Sequence, residues 1–337
     1  MRNIYDLTIK ELEDYFISIN EKKFRAVQVY EALYKRRIKS FDDMTNISKE
    51  VREKLKQDFS FYKIKMLIKQ QGKNVNKYLF ELEDGNKIES VLMFHDYGTS
   101  ICVSSQVGCN MTCAFCESGR LKKVRNLLAY EIVQQILQIE EDINKRITHV
   151  VVMGIGEPFD NYDNVLRFVK IINCGKGIDI GSRHITISTC GVIPGIKKFM
   201  NEEGQVNLAI SLHAPNDTLR SRIMPINKAY PLNELMETIK EYINKTNRRV
   251  TFEYIMLDNV NDSEENAKEL ALLLKGINCY VNLIPYNETE NIEFKRTKEW
   301  KIMKFYDILK KNKINVTIRK EFGGSVDAAC GQLRANN

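Results

Sequence analysis

From about residue 98 onward, short runs rich in β-branched residues alternate with amphipathic stretches. The runs with the composition of buried strands are SICVSS, ITHVVVM, HITISTC, VNLAISL, RVTFEYIML, YVNLIPY and NVTIRK. Helical stretches such as YEIVQQILQIEEDI and LNELMETIKEYIN lie between them. A strand followed by a helix, repeated about six times, predicts parallel strands joined by right-handed crossovers. We therefore predict an α/β fold with a partial (β/α)6 barrel, because this repeat count suits neither a two-unit nucleotide-binding half nor a sandwich.

The chain before this repeat has a different pattern. Residues 1–60 show apolar residues at three- and four-residue intervals, as in LTIKELEDYFISI and RAVQVYEALYKRR, and predict a small helical module. Residues 61–97 alternate as strands do, and DGNK at 84–87 is a turn signal, so a linking β-hairpin is expected there. The barrel is then predicted to occupy residues 98–337.

The net charge of +7 is concentrated in the N-terminal part of the chain. Residues 1–80 hold 18 Lys and Arg against 11 Asp and Glu, a surplus of seven that leaves the rest close to neutral. A basic module joined to a neutral body indicates a polyanionic partner such as a nucleic acid. The leading phosphate-binding candidates are Lys35, Arg36 and Arg37. A solvated, lysine-rich surface is the alternative interpretation.

Composition excludes several other classes of protein. No stretch of about 18 uncharged apolar residues is present, so we expect no membrane span. The N-terminal MRNIYDLTIKELEDYF is acidic and helix-like, unlike a secretory signal. Eight irregularly spaced cysteines do not resemble a secreted disulfide framework, so a reducing cytoplasm is expected. Nothing in the sequence requires more than a monomer.

Unusual residues follow the predicted strands at their carboxyl ends. These are the segments GIGEP at 154–158, STCG at 188–191, SLHAP at 211–215 and PYN at 285–287. Parallel β/α barrels build their active sites on this rim. Their shared placement therefore indicates a site more strongly than any single motif does.

The loop GCNMTCAFCESG, which follows the first barrel strand, holds Cys109, Cys113 and Cys116. Structural zinc needs four nitrogen or sulfur ligands, usually as two separated pairs, and no fourth ligand is nearby in sequence. A redox dithiol would use only the last two cysteines. Three thiolates can bind three irons of a [4Fe–4S] cluster and leave the fourth iron open to S-adenosylmethionine (SAM), from which a 5′-deoxyadenosyl radical is released. This C-x3-C-x2-C spacing is the radical SAM signature.

The other rim residues suit that cofactor. The glycines of GIGEP allow close backbone approach, and Glu157 is a candidate acceptor for the methionine amino group. A dinucleotide-binding fingerprint would need a glycine where the chain has Phe159, so that interpretation fails. Taken alone, a serine that ends a strand is more often a turn former, and His213 is more often a satisfied core histidine. The candidate SAM-binding residues are Gly156, Glu157, Ser188, Ser211, Leu212, His213 and Asn287.

Several longer motifs extend over nearly the whole chain. They are SSQVGCNMTCAFC, MGIGEPFDNYDNV, ITISTCGVIP, LAISLHAPND, MPIN, EYIMLDNVND, VNLIPYN and VDAACGQLR. With them, the chain resembles the RlmN/Cfr family of radical SAM methyltransferases, which methylate an adenine of 23S ribosomal RNA. The resemblance implies a radical SAM barrel, a [4Fe–4S] cluster, SAM, an RNA substrate, and an electron donor such as a flavodoxin or ferredoxin. Transfer RNA is a second candidate substrate.

The resemblance also implies roles for three residues outside the cysteine loop. Cys330, in DAACGQL, would carry the methyl group, and Cys102 would be its thiol partner in a transient disulfide. Glu89 matches the family's proton acceptor, although a solvated glutamate on a strand is the alternative. No role is implied for Cys174, Cys190 or Cys279, for which core or surface positions are expected.

Two departures and two rival functions stay open at this point. The segment ESG at 117–119 and the stretch after Asn287 differ from the family's usual residues, and both flank the expected mouth of the site. GEPFDNYDN and SLHAPND favour the branch that methylates carbon-2 of adenine, whereas EFGG before the DAAC motif leans toward the carbon-8 branch that gives antibiotic resistance. An iron–sulfur RNA-binding protein without methyl transfer is the rival from another class.

Overall fold

The computed structural model describes residues 1–319 and 332–333. Its N-terminal unit is helical, as predicted, and a short parallel pair of strands joins its two ends. Thr8 and Glu11 form a reciprocal capping box that starts the first helix. The elements are β1 (Arg2–Asn3), α1 (Ile9–Ser18), α2 (Arg25–Tyr34), α3 (Lys49–Asp58) and β2 (Phe59–Ser60).

Three antiparallel strands follow and lead directly into the barrel sheet. They are β3 (Lys65–Gln71), β4 (Val75–Glu81) and β5 (Lys87–His95). The turn between β4 and β5 lies at the predicted DGNK segment, where Gly85 has φ +80. Because β5 pairs with the first barrel strand, residues 61–97 extend the main sheet.

The main sheet has ten strands in the order β14-β13-β12-β11-β10-β9-β6-β5-β4-β3, and the pairs from β6 through β14 are parallel. Its remaining strands are β6 (Gly98–Val103), β9 (His149–Val152), β10 (Ile185–Thr189), β11 (Asn207–Ser211), β12 (Val250–Met256), β13 (Cys279–Pro285) and β14 (Val316–Ile318). A separate small pair is β7 (Gln106–Val107) with β8 (Arg125–Asn126). The parallel order of β6 and β9 to β14 confirms the predicted partial barrel.

Helices cover the outside of the barrel between the strands. They are α4 (Ala129–Ile143), α5 (Tyr162–Asn173), α6 (Ile193–Phe199), α7 (Asp217–Ile223), α8 (Leu232–Thr246), α9 (Glu264–Leu273) and α10 (Glu299–Lys311). The N-terminal unit packs on this helical layer and shares its hydrophobic core. Ion pairs join Glu11 to Arg167 of α5 and Arg37 to Glu140 of α4. Among the described residues, no helix has the length and apolar character needed to span a membrane.

Candidate active site

A cavity of about 150 Å³ opens at the carboxyl ends of the parallel strands. The three cysteines of the loop line it, together with the glycines and glutamate of GIGEP. From the predicted SAM-binding set, the lining residues are Gly156, Glu157, Ser188, Ser211 and His213. The chain therefore brings the predicted cluster ligands and most of the predicted SAM contacts to one place, the rim expected from the sequence.

Tight backbone contacts shape the cysteine loop. Gly108 has φ +73, and a Cβ at this position would lie 2.2 Å from the Lys122 carbonyl oxygen, so only glycine fits. The amide of Cys109 donates to Leu121 O at 3.0 Å, and that of Ala114 donates to Ile223 O at 2.9 Å. The loop is thus fastened both to its own return segment and to the end of α7.

The cysteines of this loop differ in exposure: Cys109 is buried, whereas Cys113 and Cys116 are half-buried. Burial raises the pKa of Cys109 to about 12 and that of Cys113 well above its usual value. Iron coordination would remove these protons, since a coordinating thiol is deprotonated outright. Cys109, Cys113 and Cys116 come from one short loop and line the same cavity, so the donor set fits three irons of a cluster.

The GIGEP segment forms a narrow cradle beside the cysteines. Gly156 has φ +110, and a Cβ there would lie 2.6 Å from the Cβ of Gln106. Gln106 cannot easily yield, because its Oε1 accepts from Glu157 N and its Nε2 donates to Asp160 Oδ2. The Glu157 carboxylate accepts from the amides of Phe159 at 3.0 Å and Cys190 at 2.8 Å. Burial raises the pKa of Glu157, although these donors oppose the shift.

The SLH run serves the site in different ways along its length. Ser211 ends β11 and lines the cavity, whereas the Leu212 side chain is fully buried in the barrel core. His213 lies in the left-handed region at φ +58, accepts from Ile255 N at 3.0 Å through Nδ1, and packs edge-on against Phe115 of the cysteine loop. Burial lowers the pKa of His213 to about 3, so its imidazole is neutral at physiological pH.

Asn287 lies just beyond the cavity wall. It follows β13 by two residues and is half-buried, but it is not among the described residues that line the cavity. Its role in SAM binding stays a prediction.

A second group of predicted residues gathers on one face of β4, β5 and β6. Glu89 is buried, with 3% of its surface exposed, and its Oε1 lies 3.2 Å from Lys77 Nζ. Because side chains alternate along a strand, Glu89 shares its face with Val91, and Cys102 pairs with Val91 across the sheet. The solvated position considered for Glu89 is therefore not the one observed.

The C-terminal motif reaches the same face. Cys330 lies outside the described residues, so the predicted Cys102–Cys330 disulfide stays a prediction. Leu333, three residues later, is buried in a cluster against which Cys102 packs. Its carbonyl accepts from Ser118 Oγ at 2.6 Å, and Ser118 lines the cavity. The end of the DAACGQLR motif thus touches both the cysteine loop and the surroundings of Cys102.

Three ionisable residues to which the sequence assigned no role also line the cavity. Glu253 of β12 lies opposite Ser211 of β11 in the sheet. Its Oε1 accepts a hydrogen bond from Asn282, whereas its buried Oε2 has no hydrogen-bond partner among the described residues. Glu253 could have been noticed in the sequence as an acidic residue within the apolar run RVTFEYIML. Arg319 Nη1 lies 3.9 Å from that Oε2. Cys190 is buried beside Glu157. Its place in the rim segment STCG was the available signal, although a core or surface position was expected for this cysteine.

The basic candidates of the N-terminal module differ in their surroundings. Lys35 Nζ lies 3.2 Å from Glu31 Oε1 and Arg36 donates to Asn46 Oδ1 at 3.0 Å, and both side chains are at the surface. Arg37 instead pairs with the buried Glu140 of α4. Its main contact therefore holds the module to the barrel.

Comparison with known proteins places this geometry in a family. Residues 2–60 match the model of the ribosomal RNA large subunit methyltransferase N-terminal domain, and residues 103–271 match that of the radical SAM superfamily. A protein from Spiroplasma citri named "Probable dual-specificity RNA methyltransferase RlmN" is 54% identical over 341 residues, covering 100% of this chain and 98% of the relative. The chain belongs to the RlmN family of radical SAM methyltransferases.

Other relatives agree with this membership. A Streptococcus thermophilus (strain CNRZ 1066) protein of the same name is 55% identical over 99% of this chain and 88% of its own length. The crystal structure of a radical SAM methyltransferase from Sphaerobacter thermophilus covers 100% of both chains with 41% identity and a TM-score of 0.94. As a member of this family, the chain uses a [4Fe–4S] cluster and SAM.

Proposed function

We propose that this chain transfers a methyl group from SAM to carbon-2 of an adenine in 23S ribosomal RNA, and also to a transfer RNA adenine. Its relatives carry the name of dual-specificity RNA methyltransferases. The observation that carries the proposal is the position of Leu333, which brings the C-terminal motif to the cysteine loop and to the Cys102 face at once. A protein that only binds RNA through a cluster has no need of that arrangement.

The chemistry of the target explains the need for a carrier thiol. Carbon-2 of adenine is electron-poor and cannot attack the SAM methyl group directly. Cys330 accepts a methyl from a first SAM by ordinary displacement. When bound, the cluster and a second SAM would supply, with one electron from an external reductant, a deoxyadenosyl radical able to remove a hydrogen atom from the methylthio group.

The residues of the Cys102 face then complete the reaction. Glu89 is proposed to accept the ring proton after the methylene carbon has joined the base, and its buried position beside Lys77 keeps water away from that carboxylate. The unpaired electron left on the base by this addition would pass to the oxidised cluster. Cys102 then attacks the sulfur of Cys330, which breaks the bond between that sulfur and the methylene carbon, transfers the thiol proton of Cys102 to that carbon and leaves a disulfide. External reduction restores both thiols.

The cavity residues hold the cofactors in place for these steps. Cys109, Cys113 and Cys116 are proposed to bind the cluster. Gly156 and Glu157 are proposed to face the methionine part of SAM, with Ser188, Ser211, His213 and Asn287 nearer the ribose, the carboxylate or the adenine. The Oε2 of Glu253, which accepts no hydrogen bond from the described residues, is a further acceptor in the same wall.

The target adenine must leave its stack to reach the barrel mouth. Extrusion costs on the order of a few kcal/mol, which base stacking on protein aromatics, at about 1–3 kcal/mol per base, and phosphate contacts offset. Lys35 and Arg36 of the N-terminal module are the proposed phosphate contacts. We further propose that the enzyme works as a cytoplasmic monomer and receives electrons from a flavodoxin or ferredoxin.

Nucleoside analysis tests the proposal. Reconstituted enzyme is incubated with labelled SAM, a reductant and either a 23S rRNA fragment or tRNA, and the products are identified by mass spectrometry. Carbon-2 methylation is expected; carbon-8 methylation or unmodified RNA would contradict the proposal. Cys330→Ala should abolish transfer to RNA, and Cys102→Ala should accumulate a covalent protein–RNA adduct. Cys174→Ala, which changes a cysteine remote from the cavity, is the matched control and should leave transfer intact.

A further inference from the structure

Arg220 of α7 is the largest side chain that is fully buried in the described residues. It lies beneath the cavity wall and donates to backbone carbonyls at the ends of two barrel strands. The acceptors are Cys190 O at 2.6 Å, Leu212 O at 3.2 Å and Ser211 O at 3.3 Å. Its Nη1 donates to Asn227 Oδ1 at 2.8 Å.

All of these acceptors are uncharged, yet arginine stays protonated in proteins. A buried cation is costly unless an anion compensates it. The nearest carboxylate on its own helix is Asp217, which is exposed to solvent and reaches Arg220 only through Asn227. The acceptors among the described residues therefore hold the guanidinium in place without neutralising its charge.

Contacts on two sides place this guanidinium next to the thiols of the site. Arg220 donates to the carbonyl of Cys190, which lines the cavity together with Cys113. Ile223, three residues after Arg220 on α7, accepts from the amide of Ala114, the residue that follows Cys113. Cys113 is one of the three proposed cluster ligands, and it is half-buried in the cavity wall. A positive charge is thus buried on the protein side of the cysteine loop, where a thiolate-bound cluster would bring net negative charge that increases on reduction.

We propose that Arg220 is the buried counter-charge of the iron–sulfur cluster, and that it stabilises the reduced cluster relative to the oxidised one. Charge close to a cluster in a low-dielectric site is one of the determinants of its reduction potential. The proposal rests on the proposed function, since it requires the cluster. It makes Arg220 a positioning and tuning residue that contacts neither SAM nor RNA.

The test compares the cluster reduction potential of reconstituted variants by EPR-monitored redox titration, with iron and sulfide content measured in parallel. Arg220→Gln removes the charge and should shift the potential to more negative values and lower iron retention. Arg220→Lys keeps the charge and should remain closer to the parent protein. Arg248→Gln is the matched control, because Arg248 also donates to backbone carbonyls, those of Gly204 and Val206, away from the cavity. It should leave the potential unchanged.

The double variant Asp217→Asn/Asn227→Asp keeps the guanidinium and a hydrogen bond between these two side chains, and it moves a carboxylate into contact with Nη1. It should also shift the potential to more negative values, and it decides the question if Arg220→Gln does not fold. Equal shifts in the Lys and Gln variants, or an unchanged potential in folded Arg220→Gln or in the double variant, would overturn the proposal. A parent protein that binds no iron–sulfur cluster would instead refute the proposed function.

Discussion

Replacing Gly156 by alanine tests whether the GIGEP cradle is as tight as its geometry indicates. Two separate penalties apply at this position. At φ +110 an L-residue is strained, which costs about 1–3 kcal/mol. The added Cβ would also lie 2.6 Å from Gln106 Cβ, and overpacking of this kind costs about 1–3 kcal/mol. The free energy of unfolding should therefore fall by roughly 2–6 kcal/mol.

Two other glycines separate these penalties. Gly204 has φ +116, and a Cβ added there would meet nothing within 4 Å, so Gly204→Ala carries the strain without the crowding. Gly181 has neither a positive φ nor a neighbour within 4 Å, so Gly181→Ala should be neutral or stabilising by up to about 1 kcal/mol. The difference between the Gly156 and Gly204 variants then measures crowding against Gln106 alone.

Urea unfolding of the cluster-free proteins, followed by circular dichroism, gives these free energies. SAM binding to the reconstituted proteins shows whether the cradle matters for the cofactor as well. We expect the Gly156 variant to lose the most stability and to bind SAM least tightly. If Gly156→Ala costs no more than Gly204→Ala, Gln106 yields freely and the rigid cradle inferred from its hydrogen bonds is wrong.

Four further predictions follow from contacts described above. Glu253→Gln should weaken SAM binding by roughly 10- to 150-fold in a titration, because a hydrogen bond to a charged group contributes about 1.5–3 kcal/mol and each 1.4 kcal/mol or so is a factor of ten. Arg36→Glu should weaken RNA binding and reduce its salt slope by about one. Arg37→Glu should instead lower the unfolding free energy by about 1–3 kcal/mol, because it removes the cation that pairs with buried Glu140 and places a second carboxylate beside it. Burial alone would raise the pKa of Glu11, but hydrogen bonds to its carboxylate lower that pKa to about 2. The ionised Glu11 therefore stabilises the fold above pH 4.5, and this stabilisation is lost as pH falls from 4.5 towards 2. Glu11→Gln should remove that part of the loss of stability in acid.

The sequence predicted the barrel well because strand and helix periodicities are local signals. Each rim motif follows its strand directly, so parallel strands had to bring GIGEP, Ser188 and Ser211 to one edge. Glu253 was not identified as a candidate from the sequence, because its place in the cavity wall depends on how neighbouring strands pair. Arg220 was missed for a similar reason: its partners are backbone carbonyls, which no residue pattern encodes.

The structure shows which contacts depend on the ESG segment at 117–119, where the sequence departs from the family's usual residues. Gly119 packs so closely on the cysteine loop that a Cβ there would lie 2.9 Å from Cys113 O, while Ser118 donates to the carbonyl of Leu333. These two contacts place the segment between a proposed cluster ligand and the end of the C-terminal motif. A residue of different size at 118 or 119 would therefore move Leu333 relative to the cysteine loop. The departure thus concerns the spacing of the two halves of the site and leaves the donor set unchanged.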